Sequence, residues 1–139
     1  MTHAAATIEI VAAVITDGCG KVLVVRKRGA TRFMQPGGKP GTDEPPLSAL
    51  ARELHEELGL AMDPASVIAL GTHEDWAVNE PGHRVRARAW WVHVTGVPRP
   101  QAEIAELAWI ELHGPPSVDL APLSAGHILP AARKIIPAA

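Results

Sequence analysis

Tyrosine is missing from the 139 residues, and cysteine and phenylalanine occur once each. The lone Cys19 can form neither an internal disulfide nor a thiolate cluster, which fits a reducing, cytoplasmic setting. Seven histidines are present, but they show no paired ligand spacing, so the sequence offers no zinc site. No serine or cysteine has the surroundings expected of a nucleophile. No apolar run approaches the length needed to cross a bilayer. The opening MTHAAATIEIVAAVIT lacks a basic lead and is interrupted by Glu9, so it reads as a strand rather than an export signal. A strong charge of either sign is also lacking. The formal net charge is −2 with histidine neutral, which argues against long nucleic acids or anionic membranes as partners.

Two phosphate-binding motifs fail on inspection. Gly37, Gly38 and Lys39 suggest a P-loop, but Phe33 stands in place of its first glycine and Pro40 in place of its Ser or Thr. Gly18 and Gly20 lack the third glycine of a dinucleotide fingerprint and lie between two strands, as turn residues do. No repeat, low-complexity tract or linker divides the chain, so a single domain over residues 1–139 is expected, large enough for a real core.

What is present is an alternation of β-rich and helical stretches. Ile8–Ile15 and Lys21–Arg26 read as strands joined by a TDGCG hairpin turn. Val67–Thr72 and Arg84–Val94 read as two more, with the polar stretch His73 to His83 between them, and Leu107–Glu111 as a fifth. Ser124–Ile136 reads as a closing helix that Pro130 should shorten or bend. This order suggests an α/β fold, a mixed sheet covered by helices on both faces.

Pro45–Leu58 is the clearest helix. Its prolines fall in a first turn where amide hydrogens lack partners, Thr42 or Asp43 can cap its start, and Gly59 can take the left-handed position at its end. At about 100° per residue, Leu47, Leu50, Leu54 and Leu58 form one apolar stripe. Glu53, Glu56 and Glu57 share the neighbouring arc at spacings of three and four, where each like-charged pair costs roughly 0.2–0.5 kcal/mol. A hard cation among their oxygens reverses that cost, and such ligands suit magnesium or manganese. Just upstream, Pro36, Gly37, Gly38 and Lys39 form a turn that lets backbone approach a ligand closely.

From Gly38 to Leu60 the chain reads GKPGTDEPPLSALARELHEELGL. It satisfies the pattern G-x5-E-x7-R-E-U-x-E-E-x-G-U, with U aliphatic, through Gly38, Glu44, Arg52, Glu53, Leu54, Glu56, Glu57, Gly59 and Leu60. A chance match has odds on the order of one in ten million at ordinary residue frequencies. The segment resembles the Nudix box, and the resemblance extends over nearly the whole chain. It implies an α/β/α sandwich and metal-dependent hydrolysis of a nucleoside diphosphate linked to another group X. It further implies Glu56 and Glu57 as principal Mg2+ ligands (Mn2+ also serving), and Glu53 as a further ligand or the water-activating base. The Gly38 loop would present backbone to metal and phosphates, with Arg52 and Glu44 orienting the carboxylates. Three coupled carboxylates titrate as a set, so the base stays unassigned among them.

Relatives often recruit a distant glutamate before a late strand. Glu103 is favoured for that part over Glu106, by its spacing to Trp109. Lys39 and Arg26 are the best cations for phosphate oxygens. Trp76, in the loop after a strand, is the best platform for a nucleobase. His127 stands where the last helix borders the base pocket in MutT-type relatives, although a plain surface histidine is the simpler reading. Arg84, Arg86 and Arg88 alternate and read as a solvent face above Val85, Ala87, Ala89 and Trp91. A MutT-type nucleoside triphosphate pyrophosphohydrolase is the favoured activity, working as a monomer or homodimer on a nucleotide substrate. The short chain and the missing tyrosine weigh against the alternative, a hydrolase of nucleotide sugars, ADP-ribose or dinucleoside polyphosphates. A non-catalytic nucleotide sensor is the reading from another class, and the intact carboxylate set argues against it.

Overall fold

A computed structural model describes residues 6–78 and 80–138. The first five residues, part of the N-terminal stretch read above as strand rather than signal, lie outside the described residues. Strand β1 (Thr7–Val14) is the backbone of a mixed sheet. It runs parallel to β6 (Arg84–Trp91) from Thr7↔Arg84 to Val14↔Trp91. On its other side it pairs antiparallel with the two-residue β3 (Gly37–Gly38), through Val11↔Gly38 and Ala12↔Gly37. Strand β5 (Ile68–Trp76) closes the far edge, antiparallel to β6, giving the order β3-β1-β6-β5. Strands β2 (Lys21–Lys27) and β8 (Ile104–Glu111) form a separate antiparallel ribbon, and β4 (Ala61–Met62) pairs with β7 (Val94–Thr95).

Strand alternation sends successive side chains to opposite faces, so one run of apolar residues builds two cores. Val11, Ala13, Leu23 and Val25 pack with Leu50, Leu54 and Leu58 of helix α1 (Pro46–Leu58). Ala12, Val14, Val22 and Val24 pack on the opposite side with Ile128, Leu129 and Ala132. Helices therefore cover both faces, and the fold is the α/β/α sandwich expected. The leucine stripe is confirmed: Leu50, Leu54 and Leu58 are fully buried and Leu47 is half-buried against the same core. Burial of each such side chain contributes about 1.5–3 kcal/mol.

Several local expectations change. The TDGCG turn does form, with the Asp17 amide donating to the Lys21 carbonyl and the Leu23 amide to that of Ile15. Beyond the Thr16↔Val22 bridge, however, β1 and β2 diverge into different sheets. Both edges of β1 are taken by β3 and β6, leaving β2 to pair with β8. Neither Thr42 nor Asp43 caps α1. Pro45 occupies that position with extended backbone and no side-chain hydrogen bond. Gly59 does close the helix in the left-handed conformation, at φ 69°. Trp76 ends β5 instead of lying in the loop after it. The closing helix is split into a π-helical turn (Ser124–Ile128) and α2 (Leu129–Ile135), with Pro130 in the first turn of α2. The Leu129 amide donates to the Ser124 carbonyl, five residues back. Among the described residues no helix is long and apolar enough to cross a membrane.

Candidate active site

The segment Pro36–Lys39, read above as a turn, is extended at Gly37–Gly38, where β3 pairs with β1 and approaches α1. Gly37 has φ 153°, and a Cβ there would meet the Val11 carbonyl oxygen at 2.0 Å. At Gly38 a Cβ would lie 2.6 Å from Cδ of Glu53. Only glycine lets the turn approach both the strand and the helix so closely. The Gly37 amide faces Oε1 of Glu57 at 3.4 Å. These contacts bring backbone and two carboxylates to the wall of one cavity of about 470 Å³, which Glu103, Lys27 and Lys39 also line.

Arg52 organises the acidic face. Its Nε and Nη2 each donate to Glu44 at 2.8 Å, and its Nη1 donates to Glu53 at 2.9 Å and to Glu56 at 3.2 Å. Nη2 also donates to the Lys39 carbonyl at 3.2 Å, which ties the glycine turn to the helix. The guanidinium beside Glu44, helped by the Gly41 amide, holds that carboxyl down at about 2. The hydrogen bonds it donates to Glu44 and then Glu53 raise Arg52 in turn. Glu57 moves the other way. It is only 6% exposed, and burial, reinforced by the Glu53 charge, pushes its carboxyl up to about 7.

The family model for the NUDIX domain matches residues 7–131. The chain belongs to the Nudix family. A Mycobacterium tuberculosis protein provisionally named 8-oxo-dGTP diphosphatase 2 is 35% identical over 134 residues, covering 91% of this chain and 89% of that one. An RNA pyrophosphohydrolase of Halorhodospira halophila is 40% identical over 63 residues, 45% of this chain and 34% of its own length. The E. coli ORF135 protein superposes with a TM-score of 0.72 at 30% identity, covering 94% of this chain and 91% of its own. The MutT Nudix hydrolase of Burkholderia pseudomallei shares the fold, with a TM-score of 0.74 at 23% identity and coverage of 94% and 98%. The protein is thus a Nudix hydrolase of the pyrophosphohydrolase type, a family that generally uses divalent metal ions.

Its candidate residues divide clearly. Gly38, Glu53, Glu57, Glu103, Lys39 and Trp76 meet at the cavity. Glu56 is half-exposed and turns to Arg52. Arg52 bonds both Glu53 and Glu56, and no three acidic, histidine or cysteine side chains among the described residues stand in a metal-holding group. The donors nonetheless fit a hard divalent cation in kind. They are carboxylate and carbonyl oxygens around a glycine turn, and one carboxylate is buried at the cost of its own charge.

Arg26 is not brought to the cavity. It shares a strand face with Val22 and Val24, and its Nε donates to Glu106, its partner across the β2–β8 ribbon, at 3.1 Å. Glu106, held in that pairing, is not among the residues that line the cavity. Lys27, missed in the sequence, lies at the cavity, just past an irregularity in the β2–β8 register between Arg26 and Lys27. His127 pairs with Asp75 at 3.1 Å, while Ser124 and Ile128, four residues apart on one side of the turn, border the cavity. Arg84 and Arg86 bond Glu74 and Glu9 outside it. Trp76 is 54% exposed, with the Arg84 guanidinium 4.9 Å from its ring centroid. Gln35, which carries no motif in the sequence, also lies at the cavity wall.

The bidentate grip of Arg52 on Glu44 makes a lysine replacement non-conservative, since an ammonium cannot reproduce the planar fork. Arg52→Lys is expected to keep the fold but lower kcat about tenfold to a hundredfold, the usual cost of losing a residue that orients ligands. Steady-state kinetics beside a melting curve will check this. An unchanged kcat in the folded variant would remove Arg52 from the site.

Proposed function

We propose that this Nudix hydrolase is a MutT-type nucleoside triphosphate pyrophosphohydrolase, folded as one domain. Water cleaves the bond between the α and β phosphoryl groups, and a nucleoside monophosphate and pyrophosphate leave. The observation that carries the reading is a single cavity combining four carboxylates, Glu53, Glu57, Glu80 and Glu103, and two lysines with an apolar wall that includes Ile8, Ile10, Val85 and Leu123. Such a wall accepts a nucleobase and the charged end accepts its phosphates. The provisional 8-oxo-dGTP diphosphatase name of the mycobacterial relative supports a nucleoside triphosphate in particular.

Magnesium or manganese, when bound, neutralises pyrophosphate oxygens and aligns the attacking water. Glu53, Glu56, Glu57 and the Gly38 carbonyl would hold it, with Glu103 as a further ligand. Lys27 and Lys39 take phosphate oxygens. Glu53 orients the water or accepts its proton, and Trp76 offers a ring face to the base. Excess EDTA is expected to abolish turnover of every accepted substrate, and added Mg2+ or Mn2+ to restore it. Full activity in EDTA would refute the metal assignment.

The deciding experiment incubates the protein and Mg2+ with a panel of ordinary and oxidised nucleoside triphosphates, ADP-ribose, nucleotide sugars and dinucleoside polyphosphates, with products separated by chromatography. Monophosphate and pyrophosphate from a triphosphate are expected. Cleavage confined to the other substrates moves the protein to that branch. Tight binding without any cleavage makes it a sensor.

A further inference from the structure

Gln35 lies just before the glycine turn and borders the same cavity. It is 6% exposed. Both amide atoms, Nε2 and Oε1, are buried without a hydrogen-bond partner, the only such side-chain atoms among the described residues. A buried amide left unpaired is costly, and folded proteins rarely keep one without use for it. The cavity it borders joins apolar residues such as Ile10, Ala12, Met34 and Ile128 to the charged groups at its other end. Neither amide atom bonds to any group of the fold, so hydrogen bonding within the fold does not account for glutamine.

We propose that Gln35 is the base-reading residue of this site, holding one edge of the substrate's nucleobase through a paired donor and acceptor. This rests on the reading of the cavity as a nucleotide site. An amide presents an N–H beside a C=O, the complement of a base edge that carries an acceptor next to a donor. Gln35 already forms part of the cavity wall. Gln35 and Gly38 are three residues apart, so their Cα atoms are separated by no more than about 11 Å. The base edge and the phosphates are thereby held by two parts of one short segment, with Gly38 anchored against Glu53. Gln35 also sets specificity in the strongest available way. A site built to bond a substrate group rejects analogues lacking it far better than an apolar pocket sorts them by size.

The test is Gln35→Leu, with Gln35→Met as a second apolar variant of similar length. Each is measured for kcat/KM over the panel of nucleotides, for nucleotide binding by calorimetry, and for melting temperature without ligand. Both should fold and melt at or above the wild-type temperature, since an unpaired amide is removed. kcat/KM for the preferred base should fall about tenfold to a hundredfold, and the ranking among bases should collapse to within a few-fold. Inorganic pyrophosphate should bind wild type and variants alike. If hydrolysis proceeds with an unchanged ranking in both variants, Gln35 reads nothing, and the hydrolase reading stands without it. A drop in melting temperature with an unchanged ranking gives Gln35 a structural part only. If no nucleotide is cleaved but base-dependent binding is lost in the variants, the base-reading stands and the hydrolase reading falls. Wild type that neither binds nor cleaves any nucleotide overturns both.

Discussion

Glu57→Gln is expected to lower metal-dependent turnover by roughly two to four orders of magnitude while leaving the fold intact. Glutamine keeps the size of the side chain and can still accept from the Gly37 amide, which lies 3.4 Å from Oε1 of Glu57. What it removes is a negative charge in a place where the structure supports that charge poorly. Burial and the Glu53 charge hold the Glu57 carboxyl up near 7, so without a cation the folded protein favours its neutral form. The same change in the half-exposed Glu56 should also cost activity, with less effect on stability. Turnover at wild-type rates in either variant would place the metal elsewhere.

The sign of the accompanying stability change follows from linkage. Between the unfolded value of 4.5 and the folded value of about 7, the folded state binds more protons at Glu57 than the unfolded state does. Its contribution to stability is therefore full below 4.5, falls as pH rises through that window, and is lost above 7, by on the order of 3 kcal/mol. Glu44 behaves oppositely. Held at about 2 by Arg52, it stabilises above 4.5 and loses that contribution only as pH falls toward 2, so it is silent across the range where Glu57 titrates. In EDTA, the gap in melting temperature between Glu57→Gln and wild type should widen in the variant's favour from pH 5 to pH 8. Mg2+ should stabilise wild type more at pH 8 than at pH 6, because protons compete for the same carboxylate. A gap independent of pH would contradict the raised Glu57 value.

The helix and its acidic face were legible because their signals are local. A leucine stripe, a terminal glycine and a dense motif all fall within one short stretch, and the folded α1 reproduces them. What the sequence concealed depends on pairings between distant segments. Lys27 and Arg26 are adjacent cations at a strand end, and only the cross-strand pairing distinguishes them: Arg26 is held opposite Glu106, while Lys27 lies past the register irregularity at the cavity. Glu103 and Glu106 were separated by spacing alone, whereas in the fold Glu106 is removed by its register opposite Arg26. Gln35 carries no motif of its own. Its importance emerges when β3 docks on β1 and closes the amide off beside a cavity. The hairpin was misjudged for the same reason, since local turn chemistry was right at Thr16↔Val22 while the strands answered to other partners further on.

Glu53→Gln separates binding from chemistry. Oε1 of Glu53 accepts from Arg52 at 2.9 Å, a bond the amide oxygen of glutamine can keep, so the side chain should hold its place against Gly38. Its exposure is only 16%, and it lines the cavity, where a carboxylate can orient water or take its proton. Glutamine can do neither as a base. If Glu53 acts in the transition state, kcat should fall about a hundredfold or more while nucleotide affinity stays within about tenfold. A residue that only binds the ground state gives the opposite pattern, a raised KM with kcat preserved. Calorimetry and product analysis on the same samples read the two quantities independently. Equal losses of affinity and kcat would make Glu53 a ligand-holding residue and pass the base to Glu57 or Glu103, two further carboxylates at the cavity wall. Tight binding by wild type with no phosphate-bond cleavage on any substrate would sink the catalytic reading of all three.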